Sequence, residues 1–321
     1  MRRWIDRWNA YWFPESTTVP LALARIIAVA AQLFWFLPSL EEQIHRLQRN
    51  SEFIEPQLLI RAISAVVPGE FFSPPVFTAL YWITVSAGVL ALIGLFTRVS
   101  LFVLALGIWI QIAHLYSYGD RHHTQAVFCL FLMALAFAPS GRSLSVDALI
   151  RRRHARRSGK TGAEPERIDT ALWPLKFAHV LLAMTYFSTG ASKLIFGGLQ
   201  WMNGYTLQKY TFSDAMHREI PLGIWLAQQH TLAVFLSIFT ILFETFFFLS
   251  LFFPRLAPFF FIAGIGFQTG LYLTGGHDFF QHITLLFILL ITLTPEYWRV
   301  RVRRFFEGFR WGRQEQARQP L

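Results

Sequence analysis

Charge is scarce in this chain, and cysteine scarcer still. Only 15% of its 321 residues are Asp, Glu, Lys or Arg, against roughly 25% in soluble domains, so an ordinary water-facing surface is excluded. A single cysteine, Cys129, excludes intramolecular disulfides and the dithiol exchange of thiol–disulfide oxidoreductases. No G-x-G-x-x-G and no P-loop occurs, which removes the commonest nucleotide sites. No repeat with a period of roughly 20–50 residues is present either, so solenoids and propellers are out. No HExxH or CxxC spacing supports a metal centre, and none is expected. Acidic residues are the scarcer sign, 19 against 29 basic.

What remains is apolar: 54% of residues are hydrophobic and 17% aromatic. The net charge of +10 would suit a nucleic-acid partner, but the basic residues sit between apolar runs and not among stacking aromatics, so no nucleic acid is expected and the partner is the lipid bilayer. A crossing of hydrocarbon takes roughly 20 helical residues. Eight candidate segments answer to this, near 17–37, 76–96, 100–116, 124–138, 171–193, 231–253, 255–274 and 279–294. The expected fold is all-α, a polytopic integral membrane protein of about eight transmembrane helices. The aromatic–polar mixtures at 53–67 and 194–229 read as short interfacial or re-entrant helices on the outer side. One domain is expected over 1–321, with a first four-helix half about 1–141, a basic cytoplasmic linker 142–169, a second half about 170–297 and a basic tail 298–321. The basic N-terminus precedes a long apolar run with no small-residue cleavage pattern, which predicts an uncleaved first span. With both termini cytoplasmic, the Thr97-Arg98 turn, the linker, the Pro254-Arg255 turn and the tail all fall inside, and the Glu-rich stretch 38–75 falls outside. The expected location is a bacterial inner membrane.

A charge inside a span costs at least about 2.5 kcal/mol and needs a partner, a wet cavity or a function. Arg25 and Glu244 are such charges; they either pair across helices or take part in a site. Lys193 ends the fifth segment beside Ser188, Gly190, Ala191 and Ser192, whose small size admits a neighbour or a ligand. Held away from water it is a candidate base or nucleophile; snorkelling to the outer interface is the alternative. His122 and His123 open the fourth segment, and His114 lies at the same level on the preceding one. Asp278 and His282, spaced i, i+4, are expected to face one direction at the start of the last segment. These imidazoles and the carboxylate are expected to share one outer cavity. The tryptophans and tyrosines at segment ends, such as Trp4, Trp8, Trp12, Tyr116 and Trp298, read as interfacial belts.

The run TYFSTGASKLIFGGLQWMNGYTLQ resembles a segment of the vitamin K-dependent γ-glutamyl carboxylases and their bacterial relatives, the HTTM proteins, through its Tyr-Phe, its Lys-Leu and its Trp-x-x-Gly-Tyr, here Trp201 and Tyr205. ALARI around Arg25, HHTQ followed by SLSVDAL, and Glu244 followed by Pro-Arg match in the same order. The resemblance implies that Lys193 deprotonates reduced vitamin K or another lipid quinone, with oxygen and carbon dioxide as co-substrates. His123, or its neighbour His122, would then stabilise charge. It also implies a peptide or protein substrate at the outer face and a pocket drawing on Arg25, His114, Trp201, Tyr205, Glu244, Gln268, Asp278 and His282. FQTGLYL departs from the family by carrying Gln268 where Phe-His is expected, and the large extramembrane domain of animal carboxylases is not expected so soon before the chain's end. The alternative function is a non-enzymatic membrane partner or carrier with a polar intramembrane cavity.

Overall fold

The computed structural model of the chain describes residues 16–48, 55–66, 73–119, 123–158 and 172–294, with Ile5, Trp8, Asn9 and the backbone of Arg167 and Ile168. The helices are α1 (Val19–Phe34), α2 (Leu40–Leu47), α3 (Leu58–Val66), α4 (Pro74–Ile93), α5 (Thr97–Tyr116), α6 (His123–Phe137) and α7 (Val146–Arg157), then α8 (Trp173–Gly197), α9 (Tyr205–His217), α10 (Pro221–Ala227), α11 (His230–Phe246), α12 (Leu249–Phe252) and α13 (Ala257–Gly275). A further helix, α14 (Phe280–Thr294), follows. Gly198–Asn203 forms a 3-10 turn after α8, and Ser16–Thr17 pairs antiparallel with Arg167–Ile168. Prolines open α1, α4, α8, α10 and α13, where the missing N–H has no helical partner to lose, and left-handed glycines 94 and 276 close α4 and α13.

Each of the eight apolar segments carries a helix, yet the helices differ in reach. α4, α5, α8 with its 3-10 extension, and α13 are long and apolar enough to cross a membrane, and the count becomes five if α10 and α11, bent by 97°, form one span. α1, α6 and α14 are apolar but shorter. The segment 231–253 is broken, with α11 ending at Phe246 and α12 resuming at Leu249. The stretch 194–229 is the 3-10 turn followed by α9 and α10, and 53–67 contributes α3. The supposed linker 142–169 contains α7, started by Ser145, whose hydroxyl accepts the Ala148 N–H at 2.9 Å.

The first half is held at one end by a cluster of backbone-directed polar groups. Arg25, fully buried at 0% exposure, donates to the carbonyls of Ser140 at 3.2 Å and Leu144 at 2.5 Å. Among the described residues it forms no ion pair, and of the two readings of Arg25 and Glu244 the mutual bridge is not the one that forms, since Glu244 pairs with Lys193. The cause is directional: helical side chains lean toward the N-terminus, so an arginine six residues after Val19 reaches back to the α6–α7 connection. Asp147 closes the α4–α5 turn by accepting from Phe96 N–H at 3.0 Å, Thr97 N–H at 2.8 Å and the Thr97 hydroxyl at 2.7 Å. Phe96 has φ +48° and Leu144 φ +47°, left-handed conformations that cost non-glycine residues energy and that these contacts hold in place. Gly94 is required by both its φ of +72° and its surroundings, since a Cβ there would stand 2.4 Å from Ser145 Cβ.

Partial burial works against the Asp147 charge, but the Thr97 and Phe96 hydrogen bonds and nearby Arg151 outweigh it and hold the carboxyl below the usual carboxylate range. A folded-state pKa below the unfolded value stabilises the fold above the unfolded pKa, and that contribution disappears as pH falls through the folded one. Asp147→Asn should therefore lower stability near neutrality by about 2 kcal/mol. The gap between variant and parent should close on acidification below about pH 4. Thermal unfolding of both proteins across pH reads this, and a gap that widens in acid would contradict it.

At the other end, Gln43 of α2 inserts fully buried and donates to Gln111 Oε1 at 3.0 Å, and Gln111 donates to the Thr84 hydroxyl at 3.1 Å. This chain ties α2 to α4 and α5. α3 is tied to the end of α5 by Gln57 N–H donating to the Ser117 hydroxyl.

Candidate functional site

α8 with the 3-10 turn after it runs antiparallel to α11 and α12, from His179 opposite Ser250 of α12 to Gly204, just past the turn, opposite Val234 of α11. Between these points Gly190 brings the backbones together: a Cβ would lie 2.7 Å from Thr245 N and 3.0 Å from Glu244 C. The close approach sets Lys193, one turn further along α8, opposite Glu244 of α11. Lys193 Nζ donates to Glu244 Oε2 at 2.6 Å, and the side chains are 22% and 6% exposed. Thr189, one turn before Lys193, donates its hydroxyl to the Thr185 and Tyr186 carbonyls, and the Trp201 ring of the 3-10 turn lies 5.3 Å from the amine. The amine turns to Glu244 and not along the helix end, because α8 continues four residues past Lys193 and its side chain leans back toward the helix N-terminus.

A second polar group lies along the same face of α8. Tyr186, seven residues before Lys193, is buried, and its hydroxyl accepts from Gln268 Nε2 of α13 at 2.9 Å. Its ring lies 5.8 Å from that of His282 on α14, which in turn lies 5.3 Å from the ring of His123 on α6. His282 is 1% exposed, and neither of its ring nitrogens has a hydrogen-bond partner among the described residues; the Oε1 atoms of Gln268 and Gln281 are likewise unsatisfied there. Buried polar atoms are costly to leave unpaired. Lys193, Glu244, Tyr186, Gln268, His282 and His123 thus form a polar track from four helices of the second half to α6.

Other expected members lie elsewhere. Arg25 is at the opposite end of the first half. His114 packs on Phe77 at 4.6 Å and Tyr118 at 5.2 Å, away from the lysine. Tyr205 is exposed and stacks on His230 at 4.6 Å. Asp278 is exposed and diverges from buried His282, because α14 begins only at Phe280 and helical i, i+4 spacing does not apply before it. His122 lies outside the described residues. Cys129 is buried and donates to the Ala105 carbonyl at 3.2 Å. The sequence reading did not single out Tyr186, Thr189 or Gln281; Tyr186 was findable by its seven-residue spacing from Lys193. It also passed over His179, buried and 2.7 Å from the Ser250 hydroxyl. Among the described residues no three His, Cys, Asp or Glu side chains gather as metal ligands.

Gly190→Ala should separate α8 from α11, since the opposing atoms are backbone and cannot rotate away. A loss of about 1–3 kcal/mol is expected, together with faster reaction of Lys193 with an amine label. A variant that unfolds and labels like its parent would show that the approach is not tight.

Compared with known families, the chain matches the model of the HTTM domain over residues 17–294. Neither the curated proteins nor the solved structures gave a match. The HTTM domain is a membrane domain of the vitamin K-dependent carboxylase type. With most of its length inside that match, and its helices apolar and packed as a membrane domain requires, this chain belongs to the HTTM family.

Proposed function

We propose that the chain is a membrane enzyme of the vitamin K-dependent carboxylase type, in which Lys193 acts as base toward the hydroxyl of a reduced lipid quinone and Glu244 receives the lysine's proton. The observation that carries this reading is the 2.6 Å Lys193–Glu244 contact with 22% of the lysine side chain still accessible. At that distance the ammonium can hand a proton to Glu244 Oε2 without moving. The resulting neutral pair suits an apolar surround better than two separated charges, and the free amine is then a base. His123, exposed beside His282, would stabilise charge at the far end of the polar track.

The residues present fit a hydroxylated aromatic ring. Among the described residues the buried His282 nitrogens and Gln268 Oε1 have no hydrogen-bond partner, and the Trp201 ring beside the Lys193 amine adds an aromatic surface. His282, Gln268, Lys193 and Trp201 would hold the group. When bound, a reduced quinone supplies the reducing power that, with oxygen, drives removal of a substrate proton before carbon dioxide adds. The substrate in this reading is a peptide or small carbon acid at the outer face of a bacterial inner membrane, with the chain's termini cytoplasmic.

A second reading has its own support: the same ion pair can serve as a lock between α8 and α11 in a non-enzymatic partner or carrier. Lipid extraction from the purified chain separates the two. The enzyme reading expects stoichiometric quinone and quinol-dependent oxygen uptake that falls roughly 10²-fold or more in Lys193→Met. Purified protein free of quinone and inert toward added quinol would leave the lock.

A further inference from the structure

An apolar groove of about 560 Å³ runs between α4 and α5 on the outside of the bundle. Its walls are Trp82, Ile83 and Leu90 from α4 and Phe96, Val99 and Val103 from the turn and α5. At the basic end it meets a second cavity of about 570 Å³, and the two share Phe96 and Val99 as common lining. That second cavity is of different chemistry, lined by Arg98, Arg142 and Arg151 against one carboxylate, Asp147. The Asp147 oxygens are engaged by Phe96 and Thr97 and Arg151 donates to the Gly141 carbonyl, so among the described residues the lining carries more guanidinium than carboxylate charge, with Arg98 at its edge.

We propose that groove and cavity form one site for an anionic phospholipid, with an acyl chain along α4 and α5 and the phosphate among Arg98, Arg142 and Arg151. The dimensions agree. From Trp82 to Gly94 the helix rises about 18 Å, close to the depth of one leaflet, half of roughly 30 Å of hydrocarbon. The order of the two chemistries also agrees, apolar toward the middle of α4 and cationic at its end, as a lipid lies in its leaflet. Phe96 stands at the junction with 70% of its surface exposed, held there in a left-handed conformation by the Asp147 contact. The aromatic side chain therefore forms a shelf between tail and headgroup. A soluble anion would use the basic lining but leave the apolar groove empty, and a neutral lipid would fill the groove but bring no net negative charge to Arg98.

The test uses the full chain, purified in detergent, stripped of lipid and offered equal amounts of phosphatidylglycerol and phosphatidylcholine with matched acyl chains. Retained lipid is counted by native mass spectrometry. Phosphatidylglycerol should be kept with about a tenfold preference. Arg98→Gln should reduce the preference to a few-fold, and Val99→Trp should reduce retention of both lipids. Raising salt on the parent protein should lower the preference in the same direction, a measurement that needs no variant to fold. Equal retention of the two lipids would overturn the proposal, as would a preference untouched by salt and by Arg98→Gln. Displacement by millimolar inorganic phosphate would identify a free-anion site and overturn the lipid assignment.

Discussion

Lys193→Met should destabilise the protein by about 3 kcal/mol, Glu244→Leu by less, and the double variant should recover most of the loss. The asymmetry follows from burial. Removing the lysine strands a carboxyl that is 6% exposed, whereas removing the glutamate strands an ammonium that is 22% exposed and can still draw water. Breaking a buried pair from one side costs about 3–5 kcal/mol, while replacing both partners by apolar residues of similar size is often near neutral. The lower end of that range is appropriate, because polar contacts between membrane helices average well below those extremes. Thermal unfolding in detergent of the four proteins gives the cycle. If the double variant is as unstable as Lys193→Met, the pair is not the source of the loss. The cycle also bears on function: on the enzyme reading the stable double variant is inactive, and on the lock reading it behaves as the parent does.

The positions of the apolar helices were legible in the sequence because a long apolar run can satisfy its backbone in lipid only as a helix, whatever its neighbours. Family membership was legible too, through the Lys193 segment. The break before α11 was also legible, at the boundary between 229 and 231, but the break at Phe247 was not, since TILFETFFFLSLFF carries no glycine or proline to mark it. α7 was hidden by its arginines, which made a helix read as a linker although Ser145 and Asp147 mark its start. Which of the two readings of Arg25 and Glu244 holds was not legible: two intramembrane charges of opposite sign invite pairing, but sequence does not give depth. Arg25 leans toward the start of α1, Glu244 lies in the second half of α11, and the lysine expected at a helix end has another turn of helix beyond it. Of the polar track, the meeting of His123 with His282 was legible from their matching level on two segments, whereas the approach of Tyr186 and Gln268 to His282 depends on α8, α13 and α14 meeting, which no local pattern announces.

Arg25→Leu should cost at least about 3 kcal/mol, although it removes a charge from an apolar interior. The guanidinium is fully buried and its two hydrogen bonds go to the carbonyls of Ser140 and Leu144. Leucine leaves the buried Ser140 carbonyl without this donor, at about 1–3 kcal/mol, and releases the part-buried Leu144 carbonyl as well. The damage should not stop at the contact. Leu144 is held at φ +47°, and the turn it belongs to leads directly into Asp147, which closes the α4–α5 connection. Arg25 and Asp147 therefore stabilise one structural unit from two sides, and residues sharing a unit are not additive. Once Arg25→Leu has loosened the α6–α7 connection, Asp147→Asn should cost measurably less than it does in the parent. The double-mutant cycle by thermal unfolding at neutral pH would reject this unit if the two losses simply add. It would reject the structural role of Arg25 itself if the single variant unfolds with the parent.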